Sequence, residues 1–243
     1  MFIKDLDKLT KEDLIGKIIC FPTDTVYGVG CILGDSVALN KIYNLKNRDL
    51  SKPLAILVPN SNSILPFIKE CPLIASSYMD QYWPGALTII FNKKEGVCDE
   101  FTKGLPTIGF RMPNSKVALA VLEKFGPLAT TSVNISNNPP INNLEEIIKY
   151  FGDKIDYIIE DQETISTISS TIVDVSKNSS GEIETLGTVF MSSTMVKKIA
   201  LDESYITKNV GNLSLYYLFS QYYTYESTNT GNYILEIMGS MYT

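Results

Sequence analysis

The stretch Phe21-Pro-Thr-Asp-Thr-Val-Tyr-Gly-Val-Gly30 mixes hydroxyls, a carboxylate, a phenol and two glycines directly after an apolar run. That run, residues 18–21, reads as a short buried strand, and Pro22 then removes a backbone donor, so strand pairing should stop there. The polar residues that follow are therefore predicted to lie on a loop at the strand end. Gly28 and Gly30 allow a positive φ or a close backbone approach, which a loop that holds a small polar ligand often uses.

A helix with a cationic end is predicted next. Residues 35–45 carry apolar side chains at helical spacing, and the apolar run at 54–58 predicts a buried strand. Three cations lie between them, namely Lys46, Arg48 and Lys52. The helix dipole alone favours cations at a helix C-terminus. Three of them within seven residues, close to a hydroxyl-rich loop, suit a polyphosphate better.

Four later segments each place small polar side chains beside a β-branched run. They are Trp83-Pro-Gly-Ala-Leu-Thr-Ile-Ile90, Thr107-Ile-Gly-Phe-Arg-Met-Pro113, Ala129-Thr-Thr-Ser-Val-Asn-Ile-Ser136 and Ser169-Ser-Thr-Ile-Val-Asp174. Arg111 stands within an apolar stretch, where an unpaired charge is costly. We therefore expect it to meet an anion at or near a strand end.

With these segments in this order, the chain resembles the YrdC family of threonylcarbamoyl-AMP synthases. The matching motifs are P-T-[ED]-T-x-Y-G-x-G, K-x-R followed by P-L, W-P-G, R-x-P, S-x-N-x-S and S-S-T-[IV]-V-D, within roughly residues 10 to 200. The resemblance implies an enzyme that joins L-threonine, bicarbonate and ATP into threonylcarbamoyl-adenylate and pyrophosphate, for the modification of an adenosine in tRNA. It implies no metal held by the protein alone, because Mg²⁺ is expected to arrive with the nucleotide.

The chemistry of that reaction assigns roles to the matched residues. Negative charge develops as pyrophosphate leaves, so cations and neutral donors are expected around the triphosphate. The predicted catalytic residues are Lys46 and Arg48. The predicted ATP-binding residues are Lys46, Arg48, Lys52, Thr107, Ser132, Asn134 and Ser136. Threonine is a small zwitterion with a hydroxyl, so its site needs hydroxyl partners and a bidentate cation. The predicted threonine-binding residues are Thr23, Thr25, Tyr27, Arg111 and Ser170.

The chain departs from the family pattern at three places. Asp49 stands where a proline commonly follows K-x-R, and Asn137 stands where a glycine often follows S-x-N-x-S. Asparagine tolerates left-handed backbone geometry, so the second change can be silent. The third departure bears on ATP, because Glu182-Ile-Glu-Thr-Leu-Gly187 lacks the arginine that the family commonly carries near the nucleotide.

Composition narrows the possible chemistry. The chain contains no histidine, which excludes Ser-His-Asp and Cys-His catalysis and histidine-ligated metals. Its four cysteines show no C-x-x-C spacing and lie in or near apolar segments, as buried or incidental thiols do. The net charge of −6 weighs against strong binding to a phosphate backbone, so any RNA binding is expected to be weak.

Two other functions remain open at this point. A double-stranded RNA-binding module would use the concave surface that the family resemblance implies. A carbamoyl-adenylate-forming enzyme would keep the ATP site but alter the amino-acid pocket. Pyrophosphate release that depends on threonine would distinguish a threonylcarbamoyl-AMP synthase from both of these alternatives.

Alternating strand and helix patterns predict an α/β fold. Strands are predicted near residues 18–21, 54–58, 87–91, 107–111, 128–131, 156–160 and 171–175, and helices near residues 36–46, 73–82, 115–125 and 143–151. The resemblance adds a twisted mixed sheet with packed helices around a concave cleft. Residues 1–200 are predicted to form the catalytic domain, and residues 201–243 a tail of unknown role, rich in Tyr, Ser, Asn and Thr.

No apolar run of about 18 residues and no basic-then-apolar N-terminal signal is present in the sequence. We therefore expect no membrane partner and a cytoplasmic location. Downstream proteins that transfer the threonylcarbamoyl group to tRNA are the expected macromolecular partners.

Overall fold

The computed structural model describes residues 2–3, 6–136, 138–159 and 168–176, together with short strands at 184–185, 189–192 and 232–235. The departure at Asn137, most of the 182–187 segment and most of the 201–243 tail lie outside the described residues. Within the described part, none of the helices is both long enough and apolar enough to cross a membrane.

A mixed sheet of ten strands forms the centre of the fold. Its spatial order is β1-β8-β2-β3-β7-β4-β6-β5-β9-β10, with both parallel and antiparallel neighbours. The strands are β1 (Phe2–Ile3), β2 (Ile19–Phe21), β3 (Gly28–Ile32), β4 (Ala55–Leu57), β5 (Leu87–Asn92), β6 (Thr107–Arg111), β7 (Leu128–Ser132), β8 (Tyr157–Ile159), β9 (Thr171–Asp174) and β10 (Glu184–Thr185). Two further strands, β11 (Val189–Ser192) and β12 (Asn232–Leu235), pair with each other.

In the part of the chain that the structure describes, five α-helices accompany the sheet: α1 (Ser36–Lys46), α2 (Leu73–Tyr82), α3 (Asp99–Thr102), α4 (Lys116–Phe125) and α5 (Leu144–Phe151). Three of them begin at side-chain caps, because Asp35, Ser115 and Asn143 each accept a hydrogen bond from a first-turn N–H. Helix α1 ends where Asn47 adopts left-handed geometry, with φ of 47°. These local signals set the element boundaries that the sequence predicts.

The two faces of the sheet carry different side chains. On one face, Val29, Ala129 and Ile158 pack in one core cluster with residues of α1 and α5, while Ile56 and Phe110 pack with residues of α2. On the other face, Phe21, Leu57 and Leu128 pack with Ala118, Val121 and Leu122 of α4. Helices therefore pack on both faces, and each face has its own hydrophobic core.

Part of the α4 face is built from glycine and hydroxyl residues instead of large apolar ones. Gly30 lies opposite Thr130 and Gly28 lies opposite Ser132, while Arg111 lies opposite Leu57, which itself lies opposite Leu128. Side chains that lie opposite one another share a face, and so do alternate residues along a strand. This surface, here named the polar face, comprises Gly28, Gly30, Thr88, Thr107, Gly109, Arg111, Thr130 and Ser132.

The prediction of an α/β fold with a mixed sheet and packed helices is confirmed. Of the twelve strands that the structure describes, the sequence predicts seven and does not predict β1, β3, β10, β11 or β12. Gly28 and Gly30 are predicted in a ligand loop, yet residues 28–32 form β3, whose residues are buried except Ile32. Neither Gly28 nor Gly30 has a positive φ. The glycines serve close approach instead, since a Cβ on either would lie 2.8 Å from the Thr130 side chain.

Candidate functional site

The loop between β2 and β3 is closed by its own hydroxyls. The Thr23 hydroxyl donates to the Val26 carbonyl at 2.7 Å and accepts from the Thr25 and Val26 N–H groups at 3.2 Å. Thr23 and Thr25 are both buried, and their hydroxyl oxygens lie 3.0 Å apart. Thr23 therefore has a structural role in this loop, whatever else it contacts.

Arg111, at the end of β6, ties that loop to the sheet. Its Nε donates to the Gly85 carbonyl at 2.9 Å and its Nη1 donates to the Thr25 hydroxyl at 2.6 Å. Its Nη2 donates to Oδ1 of Asp24 in an ion pair. Burial lowers the pKa of the Arg111 guanidinium, and the Asp24 carboxylate opposes that shift. The anion expected beside Arg111 is thus present at the strand end, and it belongs to the chain itself.

Two further predicted threonine-binding residues lie in different settings. The Ser170 hydroxyl, just before β9, lies 2.8 Å from the hydroxyl of Thr88 on the polar face. Tyr27 is buried in the core cluster that contains residues of α1, and its carbonyl accepts from the Val133 N–H at 3.0 Å. The structure therefore brings Thr25 and Arg111 into direct contact, with Ser170 beside the polar face, and places the Tyr27 side chain in a core.

Lys46 is the most unusual of the predicted ATP-binding residues. It is the last residue of α1 and only 1% exposed. Its Nζ donates to the Ser132 carbonyl and, at 2.6 Å, to Oδ1 of Asn134, and both partners are neutral. No carboxylate pairs with it in the described part of the chain. Burial, followed by repulsion from Arg48, lowers the pKa of Lys46 to about 7.

Asn134 holds this arrangement together. Its Oδ1 accepts from Lys46 and from the Ser132 hydroxyl at 2.7 Å, while its Nδ2 donates to the carbonyls of Ile135 and Asn138 at 3.0 and 2.6 Å. Both donors and the acceptor are therefore used within the chain. The amide orients Lys46 and the loop after β7.

Two buried polar atoms next to Lys46 have no hydrogen-bond partner among the residues that the structure describes. They are Nε of Arg48 and Oγ of Ser136. Arg48 also donates from Nη2 to the Pro53 carbonyl at 3.0 Å, and the Ser136 N–H donates to the Lys46 carbonyl at 2.8 Å. A buried ammonium with neutral partners, a free guanidinium donor and a free hydroxyl are each suited to contact an anion.

The other two predicted ATP-binding residues lie further from this cluster. Lys52 is exposed, and its backbone alone is engaged: its N–H donates to the Asp49 carbonyl at 3.1 Å and its carbonyl accepts from the Tyr43 hydroxyl at 2.6 Å. Thr107 begins β6 and is half-buried. Thr107 lies opposite Asn92 of β5. Neither Thr107 nor Lys52 has a side-chain hydrogen bond to Lys46, Arg48 or Ser136 among the described residues.

Lys46, Arg48 and Ser136 are named the anion cluster, and Asp24, Thr25 and Arg111 the Arg111 cluster. Two adjacent residues, Tyr27 and Gly28, connect these two clusters. Tyr27 hydrogen-bonds to Val133, and Gly28 lies opposite Ser132, whose carbonyl accepts from Lys46. The loop between β2 and β3, which contacts Arg111, thus also contacts the end of β7, which contacts Lys46. The two groups predicted for threonine and for ATP border one surface.

An open pocket of about 870 Å³ lies behind this surface, between α1, α5 and the loop after β7. Its lining includes Lys41, Asn44, Tyr150 and Lys154, and it reaches the site only through Asn134. None of its other lining residues belongs to the predicted sets. The pocket and the predicted site therefore share one residue, Asn134.

Three of the four cysteines are poor nucleophiles because burial keeps them protonated. Cys20 and Cys31 are buried, and burial raises the pKa of both thiols, that of Cys31 to about 12. Burial also raises the pKa of Cys98, while Cys71 is half-buried. No group of acidic, cysteine or histidine side chains in the described residues could hold a metal ion.

Residues 14–185 match the profile of the Sua5/YciO/YrdC family, which is described under the heading telomere recombination. That match covers more than half of the chain. The chain belongs to this family. The family match extends over all the residues predicted for catalysis and binding.

Two relatives of the Sua5/YciO/YrdC family illustrate the similarity. The chain is 35% identical over 163 residues to a threonylcarbamoyl-AMP synthase of Pyrococcus abyssi, covering 67% of this chain and 48% of that protein. It is 37% identical over 172 residues to a putative threonylcarbamoyl-AMP synthase of Methanocaldococcus jannaschii, covering 71% of this chain and 81% of that protein. The chain thus spans about half the length of the first relative and most of the second.

Solved structures of the family give the same result. The crystal structure of P. abyssi Sua5 complexed with L-threonine superimposes with a TM-score of 0.64 at 32% identity, over 72% of this chain and 54% of that chain. The fold of the described residues is therefore the family fold.

Sequence reasoning missed three residues that the structure brings into the site. Asp24 pairs with Arg111, Gly85 supplies a carbonyl to the same guanidinium, and Thr88 contacts Ser170. Asp24 and Gly85 stand inside recognised motifs, so the motif positions were a usable signal. Nothing local marks Thr88, because strand pairing alone places it there.

Proposed function

We propose that this chain is an L-threonylcarbamoyladenylate synthase, which makes threonylcarbamoyl-AMP and pyrophosphate from L-threonine, bicarbonate and ATP. The observation that carries the proposal is Lys46, a buried cation with neutral partners beside a free donor of Arg48 and the free hydroxyl of Ser136. Membership of the Sua5/YciO/YrdC family, and the names of the relatives, support the same reaction.

The reaction defines what these residues would do. The threonine ammonium loses a proton to solvent, and the amine then attacks the bicarbonate carbon, from which water leaves. A carbamate oxygen then attacks the α-phosphorus while pyrophosphate leaves. Lys46 and Arg48 would neutralise charge that develops on the leaving oxygens. Ser136 would donate to a phosphate oxygen. ATP enters as its magnesium complex, with the phosphates and water as the main ligands of the metal.

The Arg111 cluster would bind the amino acid. Two of the five N–H donors of Arg111 have no partner in the described part of the chain, which is enough for one carboxylate. The hydroxyls of Thr88 and Ser170 would contact the threonine hydroxyl. A Sua5 relative crystallised with L-threonine supports this class of substrate. The product would pass, in the cytoplasm, to proteins that modify tRNA.

Pyrophosphate release tests this proposal. Purified protein is incubated with threonine, bicarbonate, Mg²⁺ and ATP, and the rate is compared with reactions that lack one component. We expect release to require all of them. Release that is independent of threonine would indicate the carbamoyl-adenylate alternative. No release, combined with RNA binding that weakens as salt rises, would indicate an RNA-binding module.

A further inference from the structure

The ion pair between Asp24 and Arg111 leaves one carboxylate oxygen unused. Oδ1 of Asp24 accepts from Nη2 of Arg111, while Oδ2 has no hydrogen-bond partner among the described residues. The Asp24 side chain is 17% exposed, against 7% for that of Arg111. The pair therefore presents one side to solvent while the guanidinium is held from within.

Asp24 and Arg111 supply opposite charges next to each other at the end of β6. Asp24 is the only charged residue in the loop between β2 and β3. Arg111 points from the polar face, where its neighbours in the sheet are glycine, threonine and leucine. An exposed carboxylate oxygen beside unused guanidinium N–H groups matches an α-amino acid, which carries an ammonium and a carboxylate one carbon apart.

We propose that Asp24 is a specificity-determining residue, which accepts a hydrogen bond at Oδ2 from the amino group of the amino-acid substrate while Arg111 binds the carboxylate. This inference rests on the proposed function and adds the group that recognises the substrate nitrogen. After carboxylation the nitrogen keeps one N–H, so the same contact persists in the carbamate. Amino acids would be selected over hydroxy acids and simple carboxylates at this point.

A structural role for Asp24 predicts something different. If Asp24 only held Arg111 in place, its replacement would weaken every ligand that uses Arg111, with or without an amino group. The two roles are separated by a ligand pair that differs only in the amino group, namely L-threonine and (R)-3-hydroxybutanoate. Both carry the carboxylate, the hydroxyl and the methyl.

The experiment measures the affinity of both ligands for wild type and for Asp24→Asn by calorimetry. The amide keeps an oxygen that can accept from Arg111 but lacks the charge. We expect wild type to prefer threonine by about 10- to 100-fold, the range of a hydrogen bond between charged groups. In Asp24→Asn most of this preference should disappear, while the affinity for (R)-3-hydroxybutanoate changes less than about threefold.

Two controls keep the result interpretable. Asp49→Asn removes an exposed carboxylate that caps Ser51 outside the pair, and its preference should equal that of wild type. Asp24→Glu keeps the charge and should keep part of the preference. Thermal unfolding followed by circular dichroism verifies that each variant is folded.

The inference is wrong if Asp24→Asn weakens both ligands by the same factor, or if its preference for threonine equals that of wild type. The proposed function fails separately, in the pyrophosphate assay on wild type. If wild type releases pyrophosphate and Asp24→Asn keeps the wild-type preference for threonine, only the role of Asp24 is overturned.

Discussion

At the scale of single residues, the surroundings of Lys46 bear on two explanations for a cation at the end of α1, namely interaction with the helix dipole and binding of phosphate. A lysine that only complements a helix dipole lies in solvent near the last turn. Lys46 is instead buried, with one carbonyl and one amide oxygen as its partners. Keeping an ammonium there costs stability unless an anion is bound, and this cost is what a phosphate-binding role explains.

The buried ammonium predicts a dependence of stability on pH. The folded pKa of Lys46 is about 7 against an ordinary value of 10.5, so between these values the unfolded chain binds more protons. The cost is therefore full below about pH 7 and declines as the pH rises towards 10.5. Without nucleotide, the free energy of unfolding of wild type should rise relative to Lys46→Met between about pH 6 and pH 9.5. Urea denaturation measures it.

Lys52→Met is the matched control for this measurement, because Lys52 is an exposed lysine near the same helix end. Its stability difference from wild type should stay constant over the same pH range. A constant difference for Lys46→Met as well would show that Lys46 carries no such cost.

Lys46 and Arg48 should also matter to the nucleotide. We expect Lys46→Ala or Arg48→Ala to reduce kcat/KM for ATP by the equivalent of about 1.5–3 kcal/mol, the range for hydrogen bonds to charged groups. Steady-state pyrophosphate release at varied ATP measures this loss. Wild-type kinetics in a folded double variant would remove both residues from the triphosphate site.

At the scale of elements, the contact between β3 and β7 depends on glycine. A Cβ on Gly30 would lie 2.8 Å from Oγ1 of Thr130 and 3.1 Å from the Ala129 carbonyl, so one strand would have to move. The same two strands carry Gly28 and Ser132, which connect the substrate loop to Lys46. Strand spacing here is therefore coupled to the geometry of the site.

We expect Gly30→Ala to lower the free energy of unfolding by about 1–3 kcal/mol, as overpacking commonly does. Gly109→Ala is the control on the same face, because its nearest contacts would be ordinary ones of 3.6 Å to Ile90 and Thr88. Chemical denaturation compares the two variants. Equal stability losses would mean that the close approach of β3 and β7 is not the cause.

At the scale of the whole molecule, a pair of strands in the described part of the chain crosses the domain boundary predicted at residue 200. Strand β11 precedes the boundary, and its partner β12 follows it. Every residue predicted for catalysis or binding lies between Thr23 and Ser170. Stability and activity can therefore respond differently to removal of the tail.

Deleting residues 202–243 should preserve threonine-dependent pyrophosphate release, because all the predicted site residues remain. Solubility should fall, since β11 loses its partner and apolar surface is uncovered. Activity and the soluble fraction are measured on the same preparation. A truncated protein that is folded by circular dichroism but inactive would place part of the tail in the active site.

The sequence by itself determined the α/β class, four of the five described α-helices, seven strands and the membership of the site motifs, because these depend on local periodicity and on short sequence patterns. The sequence did not predict strand β3, because two glycines in a short run are typical of a turn. Their close approach to the neighbouring strand is visible only in the sheet. Only the tertiary structure decided that Asp24 meets Arg111 and that buried Lys46 pairs with no carboxylate of the described residues. Those contacts join residues 87 and 88 positions apart, and their energies depend on burial and strand register, which no local pattern contains.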